Sequence, residues 1–355
     1  MDVPAKAITA VADHGGSLGR ARSLFPDAPE PWVDLSTGIN PHSYPLFDLP
    51  ATALTRLPEP TQARELAAVA EKTYGAPSPR HVALAPGTQI LLPRVFSLMK
   101  PGRAAILGPT YTEHVRASAL AGHSAVEVRD FSALNEADVA VVVNPNNPDG
   151  RIVSRADLLA LAETLRRRGG LLVVDEAFMD VGPREESLCG DVGQGGIVVL
   201  RSFGKFFGLA GVRLGFTIAS EEIVERLDGE FGPWSVSGPA LGYGLRALAD
   251  MAWQEEMRAR LAAEAARLDG LLAAHGIRID GGTSLFRHAT TEHAAYLFAE
   301  LGSRGILVRN FSDRPNELRF GLPGSGQEWR RLEAALGAWR SETNMGGSVR
   351  AAGTR

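Results

Sequence analysis

The sequence predicts an α/β fold: a parallel β-sheet covered by helices on both faces, followed by a smaller α+β domain. Three observations predict it. Between His81 and Leu200, short and nearly continuous apolar runs alternate with amphipathic stretches, the pattern of strands buried on both faces and joined by crossover helices. After about Ala240 that alternation gives way to a long tract rich in Ala, Leu, Arg and Glu, and then to shorter segments. Finally, 355 residues of 45% apolar content can bury a large core and divide most readily into two domains.

Taken in order, the first sixty or so residues are rich in Pro, Gly and Asp and predict an extended arm with turns. Residues 1–45 are assigned to this arm and to part of the small domain. A helix follows over Gln62–Tyr74, closed by Gly75 and Pro77. Buried strands are expected at His81–Ala85, Ala104–Leu107, Val139–Val143, Leu171–Val174 and Ile197–Leu200, with helices at Ile90–Met99, His114–Leu120 and Asp157–Arg167. These place the large domain over residues 46–245. From Ala240 to Ala274 nothing stronger than Gly270 interrupts the helical pattern, so one linking helix is expected. The small domain, 246–342, then takes Ser284-Leu285-Phe286, a helix near Thr291–Leu301, strands at Ile306–Val308 and Glu317–Phe320, and a last helix from Glu328. Residues 343–355 are expected to form a flexible tail.

Composition narrows the function. With 37 basic against 41 acidic residues, nothing suggests nucleic acid or an anionic membrane surface as a partner. The single cysteine, Cys189, excludes an internal disulfide and fits a reducing cytoplasm; with no paired base nearby in sequence, it is expected to be a small loop residue and not a nucleophile. The N-terminus carries no apolar signal region, and no run reaches the ~18 apolar residues of a membrane span, so a soluble cytoplasmic protein is expected. The eight histidines are scattered without ligand spacing, which argues against a metal site.

The chemistry concentrates in Ser202-Phe203-Gly204-Lys205-Phe206-Phe207-Gly208-Leu209-Ala210-Gly211-Val212-Arg213-Leu214-Gly215-Phe216. A lone lysine stands among aromatics and glycines, with a hydroxyl before it and a guanidinium after it. An amine in apolar surroundings beside a cation becomes a nucleophile able to form a Schiff base. Ser202 and Arg213 are the donors a phosphate wants. A Schiff-base amine with phosphate donors points to pyridoxal 5'-phosphate (PLP).

Four further motifs fall just after the carboxyl ends of expected strands, where open α/β sheets bind ligands. Pro86-Gly87-Thr88-Gln89 opens a helix whose free N–H groups suit a phosphate, although Gly-Thr before a helix is usually only a cap. Pro109-Thr110-Tyr111 offers an aromatic that could stack on a pyridine ring; taken singly, a core or surface tyrosine is the commoner case. Asn144-Pro145-Asn146-Asn147-Pro148-Asp149-Gly150 is turn-rich, and an amide there can donate to a phenolate oxygen. Asp175, at the end of a buried apolar strand, needs a positive partner, and a protonated pyridine nitrogen is one.

The order Gly-Thr, Tyr, Asn-Pro, Asp, Ser-x-x-Lys, Arg resembles the fold-type-I PLP enzymes of the aspartate aminotransferase superfamily, over nearly the whole chain. The resemblance implies a mostly parallel seven-stranded sheet with helices on both faces, and a homodimer. It implies that Lys205 forms the Schiff base, Asp175 pairs with the pyridinium, Asn147 contacts the ring 3'-oxygen and Tyr111 stacks on the ring. Gly87, Thr88, Ser202 and Arg213 would hold the cofactor phosphate, and Arg319, in Glu317-Leu318-Arg319-Phe320, the substrate carboxylate. Phe178 stands where many members carry a tyrosine, so the second hydrogen bond to the ring oxygen is missing or comes from elsewhere.

Two subfamilies fit. The Lys205 segment and Arg309, in Ile306-Leu307-Val308-Arg309-Asn310, are similar to histidinol-phosphate aminotransferases, whose corresponding arginine binds the substrate phosphate. The arm, Asp13-His14-Gly15-Gly16 followed by Leu35-Ser36-Thr37-Gly38-Ile39-Asn40-Pro41, resembles the threonine-phosphate decarboxylases of cobalamin biosynthesis, which implicates His14 and Asn40 in substrate binding; a lone His-Gly-Gly is more often a simple turn. Leu57 also stands where the aminotransferases usually place a tyrosine that reaches the neighbouring subunit. The decarboxylase resemblance implies conversion of L-threonine O-3-phosphate to (R)-1-aminopropan-2-yl phosphate and CO2; the alternative is transamination of histidinol phosphate with 2-oxoglutarate. A protein that only scaffolds partners would lack the lysine or the aspartate, and both are present. Whether a corrinoid-pathway enzyme associates with it stays open.

Overall fold

The computed structural model describes residues 14–351, with side chains through residue 339. In chain order the described strands are β1 (Val33–Leu35), β2 (Val82–Ala85), β3 (Arg103–Leu107), β4 (Ser124–Val128), β5 (Val139–Val143), β6 (Leu171–Asp175), β7 (Ile197–Ser202), β8 (Gly215–Ala219), β9 (Arg278–Thr283), β10 (Phe286–Thr290), β11 (Ile306–Asn310) and β12 (Glu317–Gly321). The described residues form two compact units, Ser43–Glu256 and a second built from residues 14–42 and 257–351.

The larger unit is built on a seven-stranded sheet of order β2-β8-β7-β6-β5-β3-β4, parallel except for β8, which runs antiparallel to both its neighbours. β5, β6 and β7 are buried along their whole length, as near-continuous apolar strands in the middle of a parallel sheet should be. Val141, Val173, Val198 and Leu200 pack with Phe96 and Leu91 from the helix Thr88–Phe96 and Val224 and Leu227 from the helix Glu221–Phe231. All five strands predicted in this part are present. β4 and β8 and the helix Glu221–Phe231 are additional to the sequence reading.

Local signals explain most boundaries. The helix Pro60–Tyr74 starts before Gln62 because proline is well suited to the first helical turn, and it ends at Gly75 with φ 75°. The helix Arg155–Arg166 is capped by Ser154, whose hydroxyl accepts the Asp157 N–H. The single tract expected from Ala240 to Ala274 is instead two helices, Gly238–Ala249 and Met251–Ala274. Asp250 breaks it: its backbone leaves the helical region at ψ 74° and its carboxylate accepts the Trp253 N–H at 3.0 Å and the Tyr44 hydroxyl at 3.0 Å. Gly270 stays inside the second helix, where a weak breaker is tolerated.

The smaller unit carries a five-stranded sheet of order β1-β11-β12-β10-β9, with β1 parallel to β11 and the other pairs antiparallel. The arm is therefore less extended than its composition suggests: it contains the helix Leu18–Leu24 as well as β1. Ala21 and Trp32 of the arm pack on Leu307 of β11, with Phe25 and Phe298 alongside, and that apolar contact is what orders a Pro- and Gly-rich segment. The last helix, Gly326–Ala351, continues past Thr343, where fraying is expected; it contains no proline to break the backbone ladder. Among the described residues, no helix is long and apolar enough to cross a membrane.

Candidate active site

In the larger unit the sheet topology brings the sequence motifs to one end of neighbouring strands. Ala85 of β2 and Ser202 of β7 both pair with Gly215 of β8, so the loops after β2 and β7 flank the start of β8. A Cβ on Gly215 would lie 2.7 Å from the Thr88 N, and one on Gly87 would lie 2.5 Å from Arg213 Nη2. Gly87 (φ 89°) and Arg213 (φ 57°) both take the left-handed backbone region, which is cheap for the glycine and costly for the arginine. Gly87, Thr88, Ser202 and Arg213 are thus brought together around the start of β8, and a side chain at Gly87 or Gly215 would crowd Arg213 or Thr88.

Asp175 closes β6 beside Val143 of β5. It is buried, and its two oxygens are separately engaged: Oδ1 accepts the Ala177 N–H at 3.0 Å, and Oδ2 lies 2.9 Å from His114 Nε2. His114 is fully buried, and its Nδ1 has no hydrogen-bond partner among the described residues. Sequence reading did not single out His114. Its one legible cue is position, one helical turn beyond Tyr111, with which its ring makes an edge contact at 6.0 Å. The Tyr111 hydroxyl donates to Gln89 Oε1 at 3.0 Å, which ties the loop after β3 to the helix after Gly87.

Three asparagines follow β5, and two are consumed by their own loop. Asn144 exchanges side-chain bonds with the backbone of Val153, and Asn146 binds the Pro109 carbonyl, Asp149 and the Thr110 hydroxyl. Asn147, the residue singled out from sequence, is half-buried in the same loop. Lys205 sits in the short helix Phe203–Phe206 with its Nζ 5.7 Å from the centre of the Phe178 ring. Phe203, Phe206 and Phe207 beneath it are fully buried, and Phe207 stacks on Trp253 at 5.7 Å. The lysine is thus carried on a rigid aromatic base.

A second buried group lies one residue away on each strand. Arg201, before Ser202, pairs with Glu176, after Asp175, at 2.9 Å and with Asp180 at 2.6 Å, and its guanidinium covers the Tyr74 ring at 4.4 Å. Glu176 also accepts from the Ser187 hydroxyl and the Leu188 N–H. Burial raises its carboxyl above the usual range while these donors and Arg201 pull it down. Cys189 belongs to this cluster: it is fully buried, and burial followed by Glu176 pushes its thiol far up, which makes it a poor nucleophile.

The smaller unit holds His14, Asn40, Arg309 and Arg319; Asp13 of the arm motif lies outside the described residues. Arg319 of β12 is buried, donates from Nη2 to the Ser36 carbonyl at 2.8 Å and lies over the Phe286 ring at 5.0 Å. Burial, then Arg309, pulls its guanidinium down to about 10. Asn40 is buried and accepts the His42 N–H at 2.8 Å. His14 and Arg309 line a common cavity of about 240 Å³. The twelve sequence-predicted site residues therefore separate into eight in the larger unit and four in the smaller.

Known proteins give this geometry its family. The chain is 43% identical over 91% of its length, and 97% of the other protein, to a threonine-phosphate decarboxylase of Pseudomonas aeruginosa, and 41% identical over 91% of its length, and 97% of the other, to one from a Sinorhizobium species. A histidinol-phosphate aminotransferase of Cronobacter sakazakii is 32% identical over 84% of the chain and 88% of that protein. Among solved structures, the histidinol-phosphate aminotransferase of Sinorhizobium meliloti in complex with pyridoxal-5'-phosphate has the same fold, with a TM-score of 0.78 at 19% identity over 96% of this chain and 98% of that one. The family model for aminotransferase class I and II matches residues 60–334, from the helix Pro60–Tyr74 into the last helix of the small unit, and the chain belongs to that family.

Proposed function

We propose that this protein is a PLP-dependent decarboxylase that converts L-threonine O-3-phosphate to (R)-1-aminopropan-2-yl phosphate and CO2, for the side chain of the corrinoid. The observation that carries the reading is similarity: identity to two threonine-phosphate decarboxylases is 43% and 41% over nine-tenths of the chain, against 32% for the aminotransferase relative. Leu57, where the aminotransferases usually place a tyrosine, weakens the aminotransferase alternative.

The donor set fits the cofactor. A cradle that a Cβ at Gly87 or Gly215 would fill, a buried carboxylate fixed by an imidazole, and an amine on an aromatic base are what a phosphate, a pyridinium and an aldehyde require. When bound, PLP supplies the electron sink that accepts the pair left as the α-carboxylate departs. Gly87, Thr88, Ser202 and Arg213 would hold its phosphate, Asn147 its ring oxygen and Tyr111 its ring face. Asp175 would keep a proton on the pyridine nitrogen, and His114, 2.9 Å from its Oδ2, would hold it in that orientation. Lys205 would be the amine that holds the cofactor aldehyde, and its Nζ would be the group to hold the proton destined for the substrate's α-carbon.

The small unit would hold the substrate by its charges. Arg319 suits the carboxylate as a bidentate fork; His14, Asn40 and Arg309 suit the phosphate. How these groups orient the α-carbon decides which bond breaks: loss of the carboxylate gives the amine, whereas loss of the hydrogen, taken by Lys205 Nζ, would give transamination. We take the protein to act in the cytoplasm as a homodimer.

Purified holoenzyme should release CO2 and the phosphorylated amine from L-threonine O-3-phosphate. Formation of glutamate from histidinol phosphate plus 2-oxoglutarate in paired assays, with no CO2 from threonine phosphate, would refute the reading in favour of the aminotransferase. Lys205→Ala should abolish turnover; turnover that survives it would remove the lysine from the mechanism.

A further inference from the structure

Gln89, the last residue of Pro86-Gly87-Thr88-Gln89, has a side chain that the phosphate role of its neighbours does not use. Its amide bridges two polar groups: Nε2 donates to Glu113 Oε2 at 2.6 Å, and Oε1 accepts the Tyr111 hydroxyl at 3.0 Å. Glu113 Oε2 also accepts from Arg116 Nη1 at 3.1 Å, one turn along the helix Glu113–Leu120. Chemistry sets the direction of each bond. A carboxylate paired with a guanidinium only accepts, so the amide turns its N–H groups to Glu113 and its oxygen to Tyr111. The result is a relay, Arg116 to Glu113 to Gln89 to Tyr111, with a buried carboxylate in its middle.

The relay joins the elements that carry the site. Gln89 lies in the first turn of the helix Thr88–Phe96, next to Thr88, and Glu113 opens its own helix next to His114. Leu91, Leu92 and Ala117 of these two helices share one apolar cluster, and Tyr111 packs against it. The Tyr111 ring is therefore held at two points, by its hydroxyl at Gln89 and by its edge contact with His114, the two ring planes crossing at 84°. A phenol free to turn loses rotamer entropy when another ring stacks on it. Two restraints in the free protein remove that loss from the binding step.

We propose that Gln89 is a positioning residue: backed by Glu113 and Arg116, it fixes the Tyr111 ring in the orientation that stacks on the cofactor. This deepens the functional reading above and rests on the place that reading gives Tyr111. An amide suits position 89 because it accepts at one end and donates at the other. A carboxylate there would face Glu113 with like charge, and an aliphatic side chain would deprive the hydroxyl of this acceptor. Gln89 is itself exposed, so water competes for its bonds, and its replacement leaves the fold intact.

The test titrates full-length wild type, Gln89→Leu, Tyr111→Phe, Tyr111→Ala and the pair Gln89→Leu with Tyr111→Phe with PLP. Visible absorbance gives the Kd, and visible circular dichroism reports how firmly the bound ring is oriented. Gln89→Leu and Tyr111→Phe should each raise the Kd by about three- to tenfold and weaken the dichroic band. The pair should lose little more than either single variant, because both remove the same bond. Exchanging the two groups, Gln89→Glu together with Glu113→Gln, keeps one amide, one carboxylate and the net charge, and should restore most of the affinity; Gln89→Glu alone should not. Wild-type affinity and dichroism in Gln89→Leu, or additive losses in the pair, would overturn the proposal. Affinity lost in Tyr111→Ala and kept in Gln89→Leu would overturn it alone, whereas affinity kept in Tyr111→Ala would also remove the tyrosine from the cofactor site. These readouts do not depend on which substrate bond breaks, so failure of the CO2 assay would leave the role of Gln89 decided.

Discussion

Arg309 and Arg319 stand directly opposite one another across the antiparallel β11–β12 pair. Like charges at a cross-strand position destabilise a sheet, and Arg319 is also buried. Each guanidinium is covered by a ring, Phe311 at 5.3 Å for Arg309 and Phe286 at 5.0 Å for Arg319, which offsets part of the cost. Asp34 adds a charge that favours the Arg319 cation. In the proposed role, a substrate carboxylate and phosphate would offset more of the like-charge cost.

A pH dependence follows. Arg319 is pulled down to about 10, by burial first and by Arg309 second. Below that pH the guanidinium is charged and, in the proposed role, would hold the substrate carboxylate; above it the free enzyme progressively loses the charge. kcat/KM, which reports ionisation of the free enzyme, should fall by about tenfold per pH unit beyond that point. Arg309→Gln removes one of the lowering causes and should move the break upward, alongside its own loss of phosphate affinity. A break that stays in place in Arg309→Gln would show that Arg319 is not the titrating group.

His114 and Asp175 are 61 residues apart in sequence and 2.9 Å apart in the fold. His114→Ala would leave Asp175 anchored by the Ala177 N–H, with a void beside it. Losing one partner of a buried carboxylate costs ~1–3 kcal/mol, so the PLP dissociation constant should rise by about 5- to 150-fold. His114→Gln can still donate an N–H and should recover much of the loss. Dialysis against increasing PLP, followed by its visible absorbance, measures both. Equal affinity in His114→Ala and wild type would mean that Asp175 is held by other groups.

The difference between what was legible and what was not follows from the range of the signals. Lys205, Asp175, Asn147 and the Gly87-Thr88 turn were legible because each sits beside a strand whose apolar run marks its own end. His114 was not, because nothing local distinguishes a buried helical histidine from an exposed one; its partner comes from another strand. β4 escaped because this edge strand mixes exposed Ser124 and Glu127 with a single buried residue, Ala125. β8 escaped for the opposite reason: Gly215 to Ala219 is wholly buried, but it directly follows the Arg213 motif and carries Thr217 at its centre. The break at Asp250 was hidden by the helical propensity on both sides of it, which one side-chain cap overrides.

The Arg201 cluster should govern stability. Arg201→Met would leave Glu176 and Asp180 buried with the cation removed, a change expected to cost ~3–5 kcal/mol. Urea unfolding should show a lower midpoint with an unchanged slope. Adding Glu176→Gln and Asp180→Asn to Arg201→Met should restore part of the loss, since the uncompensated charges are then gone. No restoration would assign the effect to lost packing against Tyr74.

Gly87→Ala separates cofactor binding from folding. The added Cβ would meet Arg213 Nη2 at 2.5 Å and its Cζ at 3.1 Å, the far end of a flexible side chain and not backbone. The chain can therefore accommodate the methyl by swinging the guanidinium aside, at a further cost of ~1–2 kcal/mol for holding alanine at positive φ. The fold survives that, with a melting temperature lower by a few degrees. The displaced guanidinium is the proposed phosphate ligand, so PLP affinity should fall by about tenfold or more. Arg213→Ala should lose PLP affinity to a similar extent, and the double variant little more than either single one, because both act on the same contact. Additive losses in the double variant would place Gly87 and Arg213 in separate roles.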